Sequence, residues 1–163
     1  MNAKSTAAAA SVRSAQHDTF VIERRYEFAP AKVFAAWADP AAKARWFVGP
    51  PDKWTLIDRA FDFRIGGSER LKGTFAGGGP VSAFSSHYLD IVPDARIVYS
   101  YAMHLDNKLI SISLATIEFA PAGNGTRLVV TEQGVFVDGF DDAGGRERGT
   151  RALLDNLAAA LQR

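Results

Sequence analysis

Residues 151–162 read RALLDNLAAALQ, and this stretch decides the fold. Its leucines lie at the i, i+1, i+4, i+8 spacing of an amphipathic helix, at positions Leu153, Leu154, Leu157 and Leu161. Most of the other residues are alanines and charged or polar side chains that are common in helices. The stretch therefore predicts a long C-terminal helix with one apolar stripe, which must be buried against another element.

Upstream of this helix, from Trp54 to Val135, apolar and polar residues alternate with a period of two, which is typical of β-strands. Turn-forming segments such as Gly77-Gly78-Gly79-Pro80 interrupt the alternation. The pattern predicts six strands, over residues 54–61, 68–75, 82–91, 96–103, 109–119 and 127–135. Their short connections favour antiparallel neighbours, because parallel pairs need long crossovers.

The N-terminal third predicts one further strand and two short helices. Apolar residues alternate with polar ones between Phe20 and Phe28, as in a half-buried strand. Pro30 and Pro40 each begin a short helix, since the N–H that a proline lacks has no partner at the first helical position. Asp39 is placed to cap the second of these helices.

The predicted fold class is α+β. A seven-stranded curved antiparallel sheet is wrapped on the long C-terminal helix, and two short helices follow the first strand. That helix is the one predicted element large enough to cover the apolar face of the sheet. A helix lying in a curved sheet leaves space between the two, which is a natural ligand pocket. Residues 1–17 are predicted to form a flexible tail, and residues 18–163 form the domain.

Composition excludes several classes of function. The chain has 163 residues, with 19 basic and 18 acidic side chains, and its net charge of +1 does not supply the basic field that nucleic-acid binding needs. The absence of cysteine excludes disulfides, thiolate metal sites and cysteine nucleophiles. No apolar run approaches the roughly 20 residues of a membrane span. We therefore expect a cytoplasmic protein with neither a membrane nor a nucleic acid as its partner.

Several segments resemble those of a known family. They are YEFAPAKVFAAW at 26–37, ARWF at 44–47, FDFRIGG at 61–67 and YLDIVPDARIVY at 88–99. The chain resembles the START/Bet v 1-like (SRPBCC) superfamily and, within it, the family related to the C-terminal domain of the activator of Hsp90 ATPase. The resemblance covers about residues 18–163. It implies the helix-grip fold, with a ligand bound between sheet and helix, and it introduces a chaperone as a second class of partner.

One position departs from the family pattern. Relatives often carry Gly-Trp at the start of the last helix, where this chain has Gly149-Thr150. Replacing a large ring with threonine removes apolar bulk and can leave a cavity. Neighbouring rings such as Phe136 or Phe140 could refill this space, or it could be left for a ligand. We expect the second outcome, in which Thr150 faces the ligand pocket.

The aromatic residues are numerous enough to line a pocket as well as to fill a core. Aromatic rings supply apolar contact area, and tyrosine hydroxyls can orient a ligand. The aromatic residues predicted to bind the ligand are Trp46, Phe47, Tyr99, Tyr101 and Phe136.

Two charged residues complete the predicted ligand-binding set. Arg64 shares a strand face with Asp62, so it either holds a polar group of the ligand or pairs with Asp62. Glu132 points inward on the alternation of its strand. A carboxylate on an apolar face would have a raised pKa and could act as an acid or base, or it could pair with Arg64 or Arg127.

No catalytic residue, metal site or cofactor is assigned. His87 and His104 form no short-spaced motif of the kind that binds metals. Either histidine could act as a general base, although a strand histidine with no catalytic role is the commoner case. No serine lies in a G-x-S-x-G context.

These patterns favour a protein that binds a small apolar or amphipathic molecule over an enzyme, and they leave the choice between monomer and homodimer open. One alternative is a chaperone-regulator-like interaction module. The other is a cavity enzyme, a hydrolase or cyclase, that uses Glu132 or His87.

Overall fold

A computed structural model of the chain describes residues 13–163. The elements of this part of the chain are β1 (Ala15–Tyr26), α1 (Pro30–Ala38), α2 (Pro40–Trp46), β2 (Trp54–Phe61), β3 (Ser68–Phe75), β4 (Val81–Val92), β5 (Arg96–Leu105), β6 (Lys108–Ala122), β7 (Gly125–Val137) and α3 (Ala143–Leu161). The strands form one sheet in the order β1-β7-β6-β5-β4-β3-β2, and all neighbours are antiparallel. The predicted α+β class, with two short helices after the first strand, is confirmed.

The strand bounds follow the period-two pattern closely. β2 and β3 begin and end at the predicted residues. The later strands are longer than predicted, because their ladders continue into turn-like segments; β7 begins at Gly125 and β6 ends at Ala122. β1 begins at Ala15, opposite Val137, so the sheet starts three residues before the predicted boundary at residue 18. The remainder of the predicted tail, residues 1–12, lies outside the described residues.

The two short helices begin where proline and aspartate predicted them. Pro30 opens α1 and Pro40 opens α2. The Asp39 carboxylate accepts a hydrogen bond from the N–H of Ala42 at 2.8 Å, which confirms its role as the cap of α2. None of the helices in residues 13–163 is long and apolar enough to cross a membrane.

The C-terminal helix is longer than its leucine pattern indicated. α3 begins at Ala143, and the Asp142 carboxylate caps it by accepting a hydrogen bond from the N–H of Gly145 at 2.7 Å. Thr150 therefore lies in the interior of the helix and not at its start, which corrects the sequence prediction. The early turns were missed because they contain three glycines and no apolar stripe.

The leucine stripe of α3 packs on the sheet as predicted. Leu154, Leu157 and Leu161 are buried, whereas Leu153 is half-buried. Together with α1 and α2 they cover strand residues that include Ile22, Ile97, Ile117 and Leu128, all fully buried. This packing confirms the seven-stranded sheet with its long C-terminal helix.

Candidate functional site

A cavity of about 340 Å³ lies between the sheet, α2 and α3. This volume is at the lower end of the range of about 300–1,000 Å³ found for small-molecule sites. Most of the lining is apolar, and its aromatic members are Trp37, Trp46, Phe47, Trp54, Phe75, Phe84, Tyr99 and Tyr101. The arrangement could accommodate a small apolar body.

Most of the residues predicted to bind a ligand lie around this cavity. Those that line it are Trp46, Phe47, Tyr99, Tyr101, Glu132 and Thr150. Arg64 and Phe136 do not line it. The Arg64 side chain is 67% exposed and donates to Asp62 at 2.9 Å, because it lies in the link after β2, away from the sheet centre. Phe136 is buried beneath the guanidinium of Arg146, with 5.8 Å between the Arg146 Cζ and the ring centre.

Local contacts fix two of the three tryptophans of the lining, Trp54 and Trp46. Trp54 lies against the backbone of Gly73, where an added Cβ would come within 1.9 Å of the indole ring, so that position requires glycine. The Trp54 Nε1–H donates to the Ser82 hydroxyl at 3.1 Å. Trp46, at the end of α2, donates from Nε1 to the carbonyl of Ala36 at 2.8 Å. The indole N–H groups of Trp46 and Trp54 are therefore already paired within the protein, whereas the buried Nε1–H of Trp37 has no hydrogen-bond partner among the described residues.

Strand register brings Tyr101 and Glu132 together across the intervening strand. Glu132 of β7 is opposite Ala115 of β6, which is opposite Tyr99 of β5. Tyr99 and Tyr101 share a face because side chains alternate along a strand. Ala115 and the neighbouring Ser113 are small, so the long Tyr101 side chain can reach over β6 to Glu132.

Five residues form one polar part of the lining, which we call the polar wall: Tyr101, Glu132, Asp141, Arg146 and Thr150. The Tyr101 hydroxyl donates to Oε1 of Glu132, and the Thr150 hydroxyl donates to Oε2 at 2.7 Å. The Arg146 guanidinium donates to the Tyr101 oxygen at 3.1 Å and to Asp141 at 2.7 Å. The wall is thus a connected network centred on one carboxylate.

Burial sets the electrostatics of the polar wall. Glu132 is 4% exposed, and this burial raises its pKa, although hydrogen bonds from Tyr101 and Thr150 and the charge of Arg146 oppose the shift. Burial also raises the pKa of Tyr101 and of Tyr99, and the negative charge of Glu132 adds to both shifts. The two tyrosines therefore remain neutral near pH 7, with their hydroxyl protons in place.

Arg146 and Asp141 were not foreseen as site residues. Arg146, Thr150 and Leu154 follow an i, i+4, i+8 spacing, so they share a face of α3. That signal was hidden because the helix was predicted to begin at residue 151. Neither arginine predicted as a partner contacts Glu132: Arg64 bonds to Asp62, and Arg127 pairs with Glu23 at 2.8 Å.

His87, the other candidate catalytic residue of a cavity enzyme, lies away from the cavity. His87 is exposed and does not line the cavity. Within residues 13–163 there is no group of three or more His, Asp or Glu side chains that could hold a metal ion.

A second buried polar cluster lies behind the aromatic lining. The Lys43 ammonium donates to Glu69 at 3.1 Å, and the Tyr88 hydroxyl donates to the same oxygen at 2.8 Å. Rings lie within 5.6 Å of the ammonium on several sides: Trp37, Trp46, Phe47 and Phe61. Neither Lys43 nor Glu69 lines the cavity, so this ion pair belongs to the packed core and joins α2 to β3.

Comparisons with known proteins place the chain among relatives of the same fold. The family model described as Activator of Hsp90 ATPase homolog 1-like protein matches residues 27–162. A protein of Rhizobium loti of known structure is 48% identical, with a TM-score of 0.83 and coverage of 90% of this chain and 99% of that one. A putative uncharacterized protein from Rhizobium leguminosarum is 46% identical, with a TM-score of 0.88 and coverage of 93% and 99%.

More distant structures share the fold. An AHSA1-like protein from Aeromonas hydrophila is 20% identical, with a TM-score of 0.66 and coverage of 89% of this chain and 92% of that one. No curated protein matches the chain. These three structures cover between 89% and 93% of this chain.

Proposed function

We propose that this chain, which belongs to the family of Activator of Hsp90 ATPase homolog 1-like proteins, binds a small apolar or amphipathic molecule in the cavity between the sheet and α3. The observation that carries the proposal is the lining itself, a largely apolar surface rich in aromatic rings with one connected polar wall. Pockets of this composition take up an apolar ligand and orient it by a few polar groups.

The aromatic side of the cavity supports the apolar half of the proposal. Trp46 packs edge-to-face against Trp37 at 4.7 Å and against Phe47 at 5.8 Å. Phe47 in turn contacts Phe84 at 5.0 Å between ring centres. These rings brace one another, so the apolar surface is held in shape before a ligand arrives, which lowers the entropic cost of binding.

The test uses a neutral fluorescent probe, N-phenyl-1-naphthylamine, whose emission rises in an apolar site. We expect the wild-type protein to bind it. Thr150→Trp places an indole in the space beside the polar wall and should raise the Kd of the probe at least about tenfold, which corresponds to 1.4 kcal/mol. Circular dichroism melting checks that the variant is folded.

Two further variants make the test specific. Thr150→Val keeps the volume of the side chain and removes its hydroxyl, so it should bind the probe nearly as wild type does. Leu153→Trp fills the cavity from the next turn of α3 and should weaken probe binding as Thr150→Trp does. Folded filling variants that bind the probe as tightly as wild type would show that the cavity is not the binding site.

A second candidate is catalysis in the same cavity, with Glu132 as general acid or base. The observation that favours it is the buried Glu132 carboxylate, whose pKa burial raises. Turnover of 2-naphthyl acetate that is lost in Glu132→Gln would support this candidate. Turnover that is unchanged in Glu132→Gln would exclude Glu132 as the catalytic group.

A chaperone partner is the third candidate, and it is supported by the description of the family alone. The direct measurement is the ATPase rate of purified Hsp90 with and without an excess of this protein. A stimulated rate would favour the chaperone role, and an unchanged rate would leave cavity binding as the proposed function.

A further inference from the structure

We infer that the molecule bound in the cavity meets the polar wall with a hydrogen-bond donor, an alcohol, phenol or amine group, and not with a carboxylate or another anion. This inference rests on the proposed function and specifies the chemical class of the ligand.

The charges around the cavity disfavour an anion. Among the described residues that line it, Glu132 and Asp141 are acidic and Arg146 is basic, so the formal net charge of the lining is −1 when all three groups are ionised. The guanidinium of Arg146 already donates to Tyr101 and to Asp141. Lys43 is paired with Glu69 outside the lining. The basic groups near the cavity are therefore already engaged, and an anionic ligand would face the Glu132 charge.

The direction of the hydrogen bonds favours a donor. The protons of the Tyr101 and Thr150 hydroxyls are both directed at Glu132, one to each carboxylate oxygen. A carboxylate offers about four acceptor positions, so two remain on Glu132. The wall thus keeps free acceptor positions on Glu132, and its two hydroxyl protons are already used within the protein. The buried Nε1–H of Trp37, elsewhere in the lining, has no hydrogen-bond partner among the described residues, and a ligand hydroxyl could also accept from it.

The Tyr99 hydroxyl adds a complementary group. It lines the same cavity and takes no part in the network of the polar wall. An alcohol can donate to Glu132 and accept from Tyr99 at once, because a hydroxyl has one donor and two acceptor sites. A polar group of the ligand that found no hydrogen-bond partner in the cavity would instead lose its hydrogen bonds to water, which weakens binding.

The experiment compares four naphthalenes that differ in one small substituent: 2-naphthalenemethanol, 2-naphthalenemethylamine, 2-ethylnaphthalene and 2-naphthoate. Each competes with N-phenyl-1-naphthylamine for the wild-type protein at pH 7. We expect the alcohol and the amine to bind about tenfold more tightly than the ethyl compound, the effect expected for one hydrogen bond to a charged acceptor. The naphthoate should bind at least about tenfold more weakly than the ethyl compound, since it meets the Glu132 charge.

Glu132→Gln tests whether the carboxylate causes the ranking. The preference for the amine over the naphthoate should shrink at least about tenfold in this variant, because the charge that separates them is gone. Glu118→Gln is the matched control, the same substitution at an exposed residue of β6, and it should keep the wild-type ranking. If Glu132→Gln does not fold, the wild-type ranking decides alone.

The outcomes separate this inference from the proposed function. Equal affinities for all four compounds, or tightest binding of the naphthoate, would overturn the donor inference while cavity binding stands. If neither the fluorescent probe nor any naphthalene binds, the proposed function fails and the inference fails with it.

Discussion

Two glutamates are buried in this domain, and they are compensated in different ways. Glu69 is 2% exposed and accepts hydrogen bonds from the Lys43 ammonium and from the Tyr88 hydroxyl. Glu132 is 4% exposed and accepts hydrogen bonds from the Tyr101 and Thr150 hydroxyls. Glu69 therefore has a direct cationic partner. Glu132 does not, because the nearby Arg146 guanidinium donates to Tyr101 and Asp141 instead.

The difference distinguishes a structural carboxylate from one that is available for binding. Burial lowers the pKa of Lys43, and the adjacent Glu69 charge opposes that shift, so the pair is held together in the core. Burial raises the pKa of Glu132, because the two hydroxyl donors and the charge of Arg146 do not fully replace the water that the carboxylate loses. Glu132 also lines the cavity and Glu69 does not, so a ligand can reach Glu132 alone. Oε2 of Glu69 has no hydrogen-bond partner among the described residues, so the Lys43 charge and not a full set of hydrogen bonds compensates that carboxylate.

The largest loss of stability should come from breaking the ion pair between Lys43 and Glu69. Lys43→Met leaves Glu69 buried without its counter-charge, and loss of one partner of a buried pair costs about 3–5 kcal/mol of the free energy of unfolding. Urea denaturation measures it. The double variant Lys43→Met with Glu69→Met should recover most of that loss, because apolar replacement of both partners is often neutral. A single variant that loses under about 1 kcal/mol would show that the pair is not structural.

The second largest loss of stability concerns α3, which has one face in the core and another at the cavity. Leu157 is fully buried in the core, so Leu157→Ala should cost about 2–5 kcal/mol of the free energy of unfolding. Thr150 faces the cavity, and Thr150→Val should cost only about 1 kcal/mol, since it removes one hydrogen bond and no volume. The measurement is again urea denaturation. A cost for Leu157→Ala under about 0.5 kcal/mol would contradict the packing of this helix on the sheet.

The fold was predictable from the sequence because its signals are local. The period-two alternation, the proline and glycine breaks and the leucine stripe of residues 153–161 each act within a few residues. The first turns of α3 were not predictable in this way. They carry local signals, the Asp142 cap and the Asp141–Arg146 pair, but three glycines and the lack of an apolar stripe obscure them. The contact of Arg146 with Tyr101, 45 residues earlier in the chain, exists only in the folded protein.

The site was predictable only in part, for the same reason. Strand alternation correctly placed Glu132 inward. Its partners depend on strand register and on the position of α3, and no local pattern encodes either. The Lys43–Glu69 pair is a clearer case, because a lysine in a short helix gives no sign that it will be buried against a strand 26 residues later.

The third effect compares the two tyrosines that donate to the buried carboxylates. Tyr88→Phe removes a donor to Glu69 in the packed core and should cost about 1.5–3 kcal/mol, the range for a hydrogen bond to a charged group. Tyr101→Phe removes a donor to Glu132 and an acceptor from Arg146, but the cavity leaves room for water to replace both hydrogen bonds, so its cost should be smaller. Thermal unfolding of the two variants side by side measures the difference. Equal losses would show that the cavity does not relieve Glu132.

The smallest effect is a pH dependence that Glu132 should cause. Its pKa in the folded protein is raised by burial above the ordinary value of 4.5 that applies in the unfolded chain. Between these two values the folded protein binds more protons than the unfolded chain, so this group stabilises the fold fully below pH 4.5 and loses that contribution as pH rises through the folded pKa. Glutamine does not titrate, so the stability of Glu132→Gln does not fall with rising pH in the way that Glu132 makes the wild type fall.

We therefore expect the stability of Glu132→Gln relative to wild type to increase from pH 4 to pH 8, by about 1.4 kcal/mol for each unit by which the pKa is raised. Urea denaturation at several pH values measures the difference. Saturating 2-naphthalenemethylamine should reduce it, because the ammonium group favours the ionised carboxylate and brings its pKa down. If the stability of Glu132→Gln relative to wild type stays constant or falls as pH rises, the surroundings of Glu132 compensate its charge fully in the folded protein. The distinction between Glu132 and the ion-paired Glu69 would then not hold.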